Sequence, residues 1–141
     1  YITDFPTADV AQLPNVMLVP HLGASTPESE ENCAEMAALQ LRDFLEFGNI
    51  KNSVNFPNCE MPYTGKVRLA ITNANKPNMV SSIAAALAQE GINIENMTNK
   101  SKGDYAYTMI DIDKLGDKKE SVLQTLLAID GVTSARVVRE A

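Results

Sequence analysis

Two stretches of different hydrophobic pattern make up the chain. In the first, Tyr1-Ile2-Thr3 reads as the tail of a strand, and Val16-Met17-Leu18-Val19 is a continuous apolar run closed by Pro20. Such a run predicts a strand buried on both faces, as in a parallel sheet. The loop Pro20-His21-Leu22-Gly23-Ala24-Ser25 follows. Thr26 can cap a helix whose first turn takes Pro27, where a missing N–H costs nothing, and Glu28, Glu30 and Glu31 suit the positive end of its dipole. The helix is expected to run to about Phe47, with Ala34, Ala37, Ala38, Leu41 and Leu45 as its apolar side and Gly48 ending it. One long helix with one or two lone strands cannot close a core, so this piece is expected to be the end of a larger domain.

The second stretch is self-sufficient in pattern. Lys66 to Thr72 reads as a strand, Asn78 to Glu90 as a helix facing inward through Val80, Ile83, Ala84 and Leu87, and Ile92 to Asn99 as a strand. Ser101-Lys102-Gly103-Asp104 has the composition of a hairpin connection. Tyr105 to Asp113 is strand-like, Lys118 to Ile129 is a helix facing inward through Val122, Leu123, Leu126 and Ile129, and Val132 to Arg139 is a last strand. The order βαββαβ predicts an α+β, ferredoxin-like fold: a four-stranded antiparallel sheet in the order 4-1-3-2 with both helices on one face. Met97, Tyr105, Tyr107 and Met109 are read as sheet packing.

Charge separates the two stretches further. Residues 1–60 carry 2 basic and 9 acidic side chains and residues 61–141 carry 10 and 9, within a net charge of −6. The segment between them holds Gly48, Pro57, Pro62 and Gly65 among asparagines with no sustained period. The expected organisation is therefore a remnant over 1–48, a linker over 49–65 and a complete domain over 66–141 that folds without the first piece. With 45% hydrophobic residues the chain can bury a core, and its negative charge argues against nucleic acid as a partner. No membrane-spanning run and no signal-peptide layout are present, so a cytoplasmic protein is expected. Cys33, Cys59 and the lone His21 form neither a disulfide framework nor a metal site.

The run Pro20-His21-Leu22-Gly23-Ala24-Ser25-Thr26, after a strand and before a long helix, resembles the histidine signature of the D-isomer-specific 2-hydroxyacid dehydrogenases. Gly48-Asn49-Ile50-Lys51-Asn52-Ser53-Val54-Asn55-Phe56-Pro57 resembles the segment that leads, in the D-3-phosphoglycerate dehydrogenases, from the catalytic body to a C-terminal ACT domain, and the second stretch is similar to that domain throughout. The resemblance implies a parent enzyme that oxidises 3-phosphoglycerate with NAD in the first step of serine biosynthesis, and makes His21 its catalytic acid and base. The Gly-rich phosphate loop of that family has no match here, so no cofactor is expected on this stretch and alone it is expected to be inactive. The family pairs its histidine with a glutamate. The corresponding region reads Asp4-Phe5-Pro6-Thr7-Ala8-Asp9, where Asp9 could substitute or the partner could lie elsewhere.

In relatives that bind serine, the loop after the first ACT strand and the start of the second strand hold the amino acid across a two-fold interface. The resemblance places Asn73 and Asn75 in that loop and Asn93 on the partner side. Asn73 stands where those relatives have histidine, and Asn78 where the pattern has glycine. Turn chemistry and helix capping account for these asparagines as well. Three readings follow: a regulatory domain that binds L-serine or another amino acid and forms a homodimer through ACT strand 2; a pure dimerisation module with a decayed site; and, nearly excluded by the missing loop, a dehydrogenase in its own right.

Overall fold

The computed structural model describes residues 1–140, and the chain divides into two compact units, Tyr1–Ala38 and Leu39–Ala141. In the first unit β1 (Ile2–Thr3) and β2 (Met17–Leu18) pair in parallel, Ile2 with Met17 and Thr3 with Leu18. The 13 residues between them carry a 3-10 turn at Val10–Gln12, which is the crossover length a parallel pair needs. The run around Met17 was expected to be buried on both faces. Met17 and Leu18 are exposed instead, because no layer among the described residues covers this short pair.

Helix α1 (Pro27–Phe47) opens in the first unit, where Thr26 Oγ1 accepts the Ser29 amide at 3.2 Å, and closes in the second. Its expected apolar side, Ala34, Ala37, Ala38, Leu41 and Leu45, is exposed. What packs in the second unit is the opposite stripe, with Phe44 against Ala70, Tyr107 and Met109.

The second unit contains β3 (Val67–Ala74), α2 (Met79–Gln89), β4 (Ile94–Lys102), β5 (Tyr105–Ile112), α3 (Lys119–Leu127) and β6 (Val132–Arg139). The strands lie in the order β4-β5-β3-β6 with every neighbour antiparallel, which is the ferredoxin-like arrangement expected. Period-two alternation divides the sheet. Val67, Leu69 and Ile71 of β3 and Ile110 and Ile112 of β5 join Ile83, Leu87, Val122 and Leu126 of the helices in one core. Asn78 caps α2 in a left-handed conformation, φ 68°, and Met79 becomes the first inward residue. Met79, Ile83, Ala86 and Leu87 therefore make the buried face, whereas Val80, expected inward, is exposed. Strand β4 starts two residues later than expected and runs through Lys102, leaving only Gly103-Asp104 as the turn.

The other face of the sheet is covered as well. Segment 49–65, expected as a linker, lies across it: Ile50, Cys59 and Met61 are buried against Ala70, Tyr107 and Met109, with Phe56 and Val138 beside them. An Ile50–Cys59 backbone bridge closes the base of this cover, and Lys102 Nζ donates to Ser53 O at 3.3 Å and Val54 O at 2.9 Å. Burying apolar side chains on a face that would otherwise meet water is what holds the segment there, at about 25 cal/mol per Å² of apolar surface. The second compact unit begins at Leu39 and includes this segment. Among the described residues no helix is long and apolar enough to cross a membrane.

Candidate functional site

His21 stands on the loop after β2. Its Nδ1 lies 2.8 Å from Asp4 Oδ2, and the Phe5 ring packs on the imidazole with centroids 4.3 Å apart. A carboxylate can only accept, so Nδ1 carries the hydrogen and Nε2 is left free for proton exchange. The two side chains are 54% and 50% exposed, which leaves the imidazole accessible. Asp4 is thus the carboxylate beside His21, while Asp9, weighed for that place, precedes the 3-10 turn. The clue in the sequence was an aspartate directly after the strand tail. Only the parallel register of β1 and β2 brings the two loops together.

In the second unit, a cavity of about 420 Å³ opens on the helix side of the sheet, lined by Asn73, Asn75, Asn78, Asn99, Met79 and Val80 among others. Asn73 is buried. Its Nδ2 donates to Ala74 O at 2.8 Å, while its Oδ1 is buried without a hydrogen-bond partner. Asn75 is committed to the hairpin turn, its amide donating to Asp104 O at 2.8 Å and its Nδ2 to Gly103 O at 2.9 Å. The Asn78 carbonyl receives the first helical bond, from Ser82 N–H at 2.9 Å, and the Ser81 hydroxyl at 2.9 Å. The amides of Met79, Val80 and Ser81 precede that bond, and no side chain caps them.

Lys76 also lines the cavity and pairs with Asp130, whose carboxyl is held below its ordinary range by that hydrogen bond and charge. Asn99, which sequence reasoning passed over, sits opposite Thr108 and donates from Nδ2 to its Oγ1 at 2.6 Å. Its only signal was a polar residue at a strand position. The structure therefore brings Asn73 and Asn75 together. Asn93 does not line this cavity; it precedes β4, exposed, with its amide 3.4 Å from Asp113 Oδ1. Among the described residues no group of three or more His, Cys, Asp or Glu side chains is placed to hold a metal ion.

A four-stranded antiparallel sheet in this order, with two helices on one face and a polar cavity where β3 meets α2, is a ferredoxin-like fold. No protein-family model matches the chain. It is similar over nearly its whole length to D-3-phosphoglycerate dehydrogenases. Identity is 32% over 132 residues to that enzyme from Escherichia coli (strain K12), covering 94% of this chain and 32% of the relative. To D-3-phosphoglycerate dehydrogenase 2 of Saccharomyces cerevisiae it is 29% over 136 residues, covering 93% and 28%. The chain thus spans about a third of the length of the curated relatives it matches. Among solved structures, the ACT domain from GTP pyrophosphokinase of Chlorobium tepidum gives a TM-score of 0.44 at 20% identity, covering 50% of this chain and 92% of that one. The ligand-free regulatory subunit of aspartate kinase from Thermus thermophilus gives 0.42 at 18%, covering 50% and 49%.

Proposed function

We propose that this chain is the regulatory C-terminal part of an NAD-dependent D-3-phosphoglycerate dehydrogenase of the cytoplasm, and that its ACT domain binds a small amino acid such as L-serine. The observation that carries the ligand reading is Asn73 Oδ1, a buried acceptor with no partner on the wall of a cavity. Leaving such an atom unpaired costs about 1–3 kcal/mol, which a ligand ammonium or hydroxyl would recover. The open amides of Met79, Val80 and Ser81 suit the ligand's carboxylate, since a helix N-terminus favours negative charge. In a homodimer joined edge to edge through β4, Asn93 of the partner subunit would complete the site. The outer edge of β4 has no strand partner among the described residues, which leaves its backbone groups open to such pairing.

In the longer enzyme His21 would exchange the proton of the substrate hydroxyl, with Asp4 holding the tautomer that leaves Nε2 free. The glycines stand at 23, 48, 65, 91, 103, 116 and 131, no two of them in a Gly-x-Gly pair, so these residues do not fit a dinucleotide phosphate loop. NAD and 3-phosphoglycerate belong, in this proposal, to the remainder of the longer protein.

Asn78 favours a second reading, a pure dimerisation module. Its side chain stands at a left-handed position beside the cavity where glycine would leave room. Calorimetric titration of L-serine, glycine and L-valine into the chain, alongside its sedimentation mass, separates the two. Saturable heat that disappears in Asn73→Ala supports the amino-acid site. A dimer that takes up none of the three at millimolar concentration supports the assembly module.

A further inference from the structure

The end of α1 carries no basic residue to meet its dipole, yet three carbonyls there receive side chains from three different strands. Arg136 of β6 donates from Nη2 to Phe44 O at 2.7 Å. Arg68 of β3 donates from Nη1 to Phe47 O at 3.1 Å. The Tyr107 hydroxyl of β5 donates to Gly48 O at 2.7 Å. Phe44 O also accepts the Gly48 amide at 3.0 Å, the closing bond of a helix whose next residue is left-handed, and Gly48 has φ 77°. The approach at that glycine is close. A Cβ there would stand 3.3 Å from both Met109 Sδ and Val138 Cγ2, tighter than ordinary contact. The guanidinium of Arg136 lies 4.5 Å over the Phe44 ring and that of Arg139 5.1 Å over Phe47.

We propose that this turn is a rigid joint that makes the last turns of α1 and the four-stranded sheet one body. A single hydrogen bond would leave the helix end free to swing. Three donors rooted in β3, β5 and β6 fix both its position and its direction, and the contact at Gly48 removes the slack between helix and sheet. A hinge between α1 and the sheet would need these bonds to break together, with the buried Arg68 losing a carbonyl partner as they did. The joint stands independently of the proposed function.

Amide hydrogen exchange on the whole chain, read by mass spectrometry, tests this. In the wild type the Leu45–Gly48 amides should exchange about as slowly as those of β5. Arg136→Gln and Tyr107→Phe, milder than any change at the buried Arg68, should each speed exchange at Leu45–Gly48 by about tenfold or more, the scale of a lost strong hydrogen bond, while β5 stays protected. Arg136→Lys, which keeps a donor, should restore part of the protection. The joint is refuted if the wild-type helix end exchanges like open chain, if both variants leave it unchanged, or if they loosen β5 to the same extent.

Discussion

Arg68 and Asp111 stand opposite each other on β3 and β5, both fully buried, joined by Nε to Oδ1 at 2.6 Å and Nη2 to Oδ2 at 2.8 Å. The remaining guanidinium hydrogens go to Met61 O at 2.8 Å, Phe47 O at 3.1 Å and Pro62 O at 2.8 Å. Thr64 Oγ1 adds a bond to Asp111 Oδ2 at 3.3 Å. A charge pair survives in this interior because every donor of the arginine is used, which offsets the loss of water.

Removing either member should therefore be severe. Arg68→Ala or Asp111→Ala is expected to lower the unfolding free energy by roughly 3–5 kcal/mol, since each strands the other charge. The double variant should lose less than the sum of the two. Urea denaturation measures all three, and single losses under about 1 kcal/mol would place the pair with exposed ion pairs.

The stable fragment should begin at Leu39. Residues 39–141 keep the cover over Ala70, Tyr107 and Met109 and the carbonyls that Arg68 needs. Residues 66–141 lose both. Thermal melts should show the longer fragment close to the whole chain and the shorter one melting far lower, with dye-binding apolar surface. Equal melting temperatures would make the cover energetically idle.

Tyr107 should give the fold a slope at high pH. Burial pushes its hydroxyl up to about 12 from the ordinary 10, against the opposing influence of Arg136. The folded form holds the proton more tightly than the unfolded chain, so its contribution is full below pH 10 and is lost as pH rises toward 12. Tyr107→Phe should flatten the fall in stability across that window relative to the wild type. Parallel curves for the two proteins would contradict the shift.

The two thiols should differ in reactivity. Cys33 is exposed on α1, whereas Cys59 is 1% exposed and burial pushes its thiol up. Iodoacetamide at mildly alkaline pH should label Cys33 quickly and Cys59 only once urea opens the fold. Rapid labelling of Cys59 under native conditions would mean that the 49–65 cover opens readily.

In the longer dehydrogenase proposed here, His21→Ala should reduce turnover by roughly 10²- to 10⁴-fold, the usual contribution of a placed acid or base. Asp4→Asn should do less and alter the pH profile. A loss below threefold at His21 would remove it from the chemistry.

The elements of the ferredoxin-like sheet and its helices were legible because period-two strands and period-3.6 helices carry their own signal, as in Leu69, Ile71, Ile110 and Ile112. The cover was not. Ile50, Phe56, Cys59 and Met61 follow no period, since an irregular segment lying on a sheet needs apolar residues only where it touches. Arg68 and Asp111 alternate with apolar residues along their strands, a pattern that by itself does not say which face they meet. Register alone reveals that they face each other. The asparagine loop could be read from its composition, but the orphaned oxygen of Asn73 and the approach of Asn99 depend on how β3, β4 and β5 are paired.

The bond from Arg136 to Phe44 O spans 92 residues and bears on how the chain is made. At about 5–20 residues per second, the end of α1 is synthesised roughly 5–18 s before the arginine that holds it. Until β6 emerges, Phe44 O has no guanidinium and β3 lacks one neighbour, while Gly48 has no Val138 to rest on. The order of synthesis thus leaves this helix end unfinished until the last strand. A message truncated before Val132 would yield a chain whose earliest-made long helix is held by Arg68 and Tyr107 but never by Arg136.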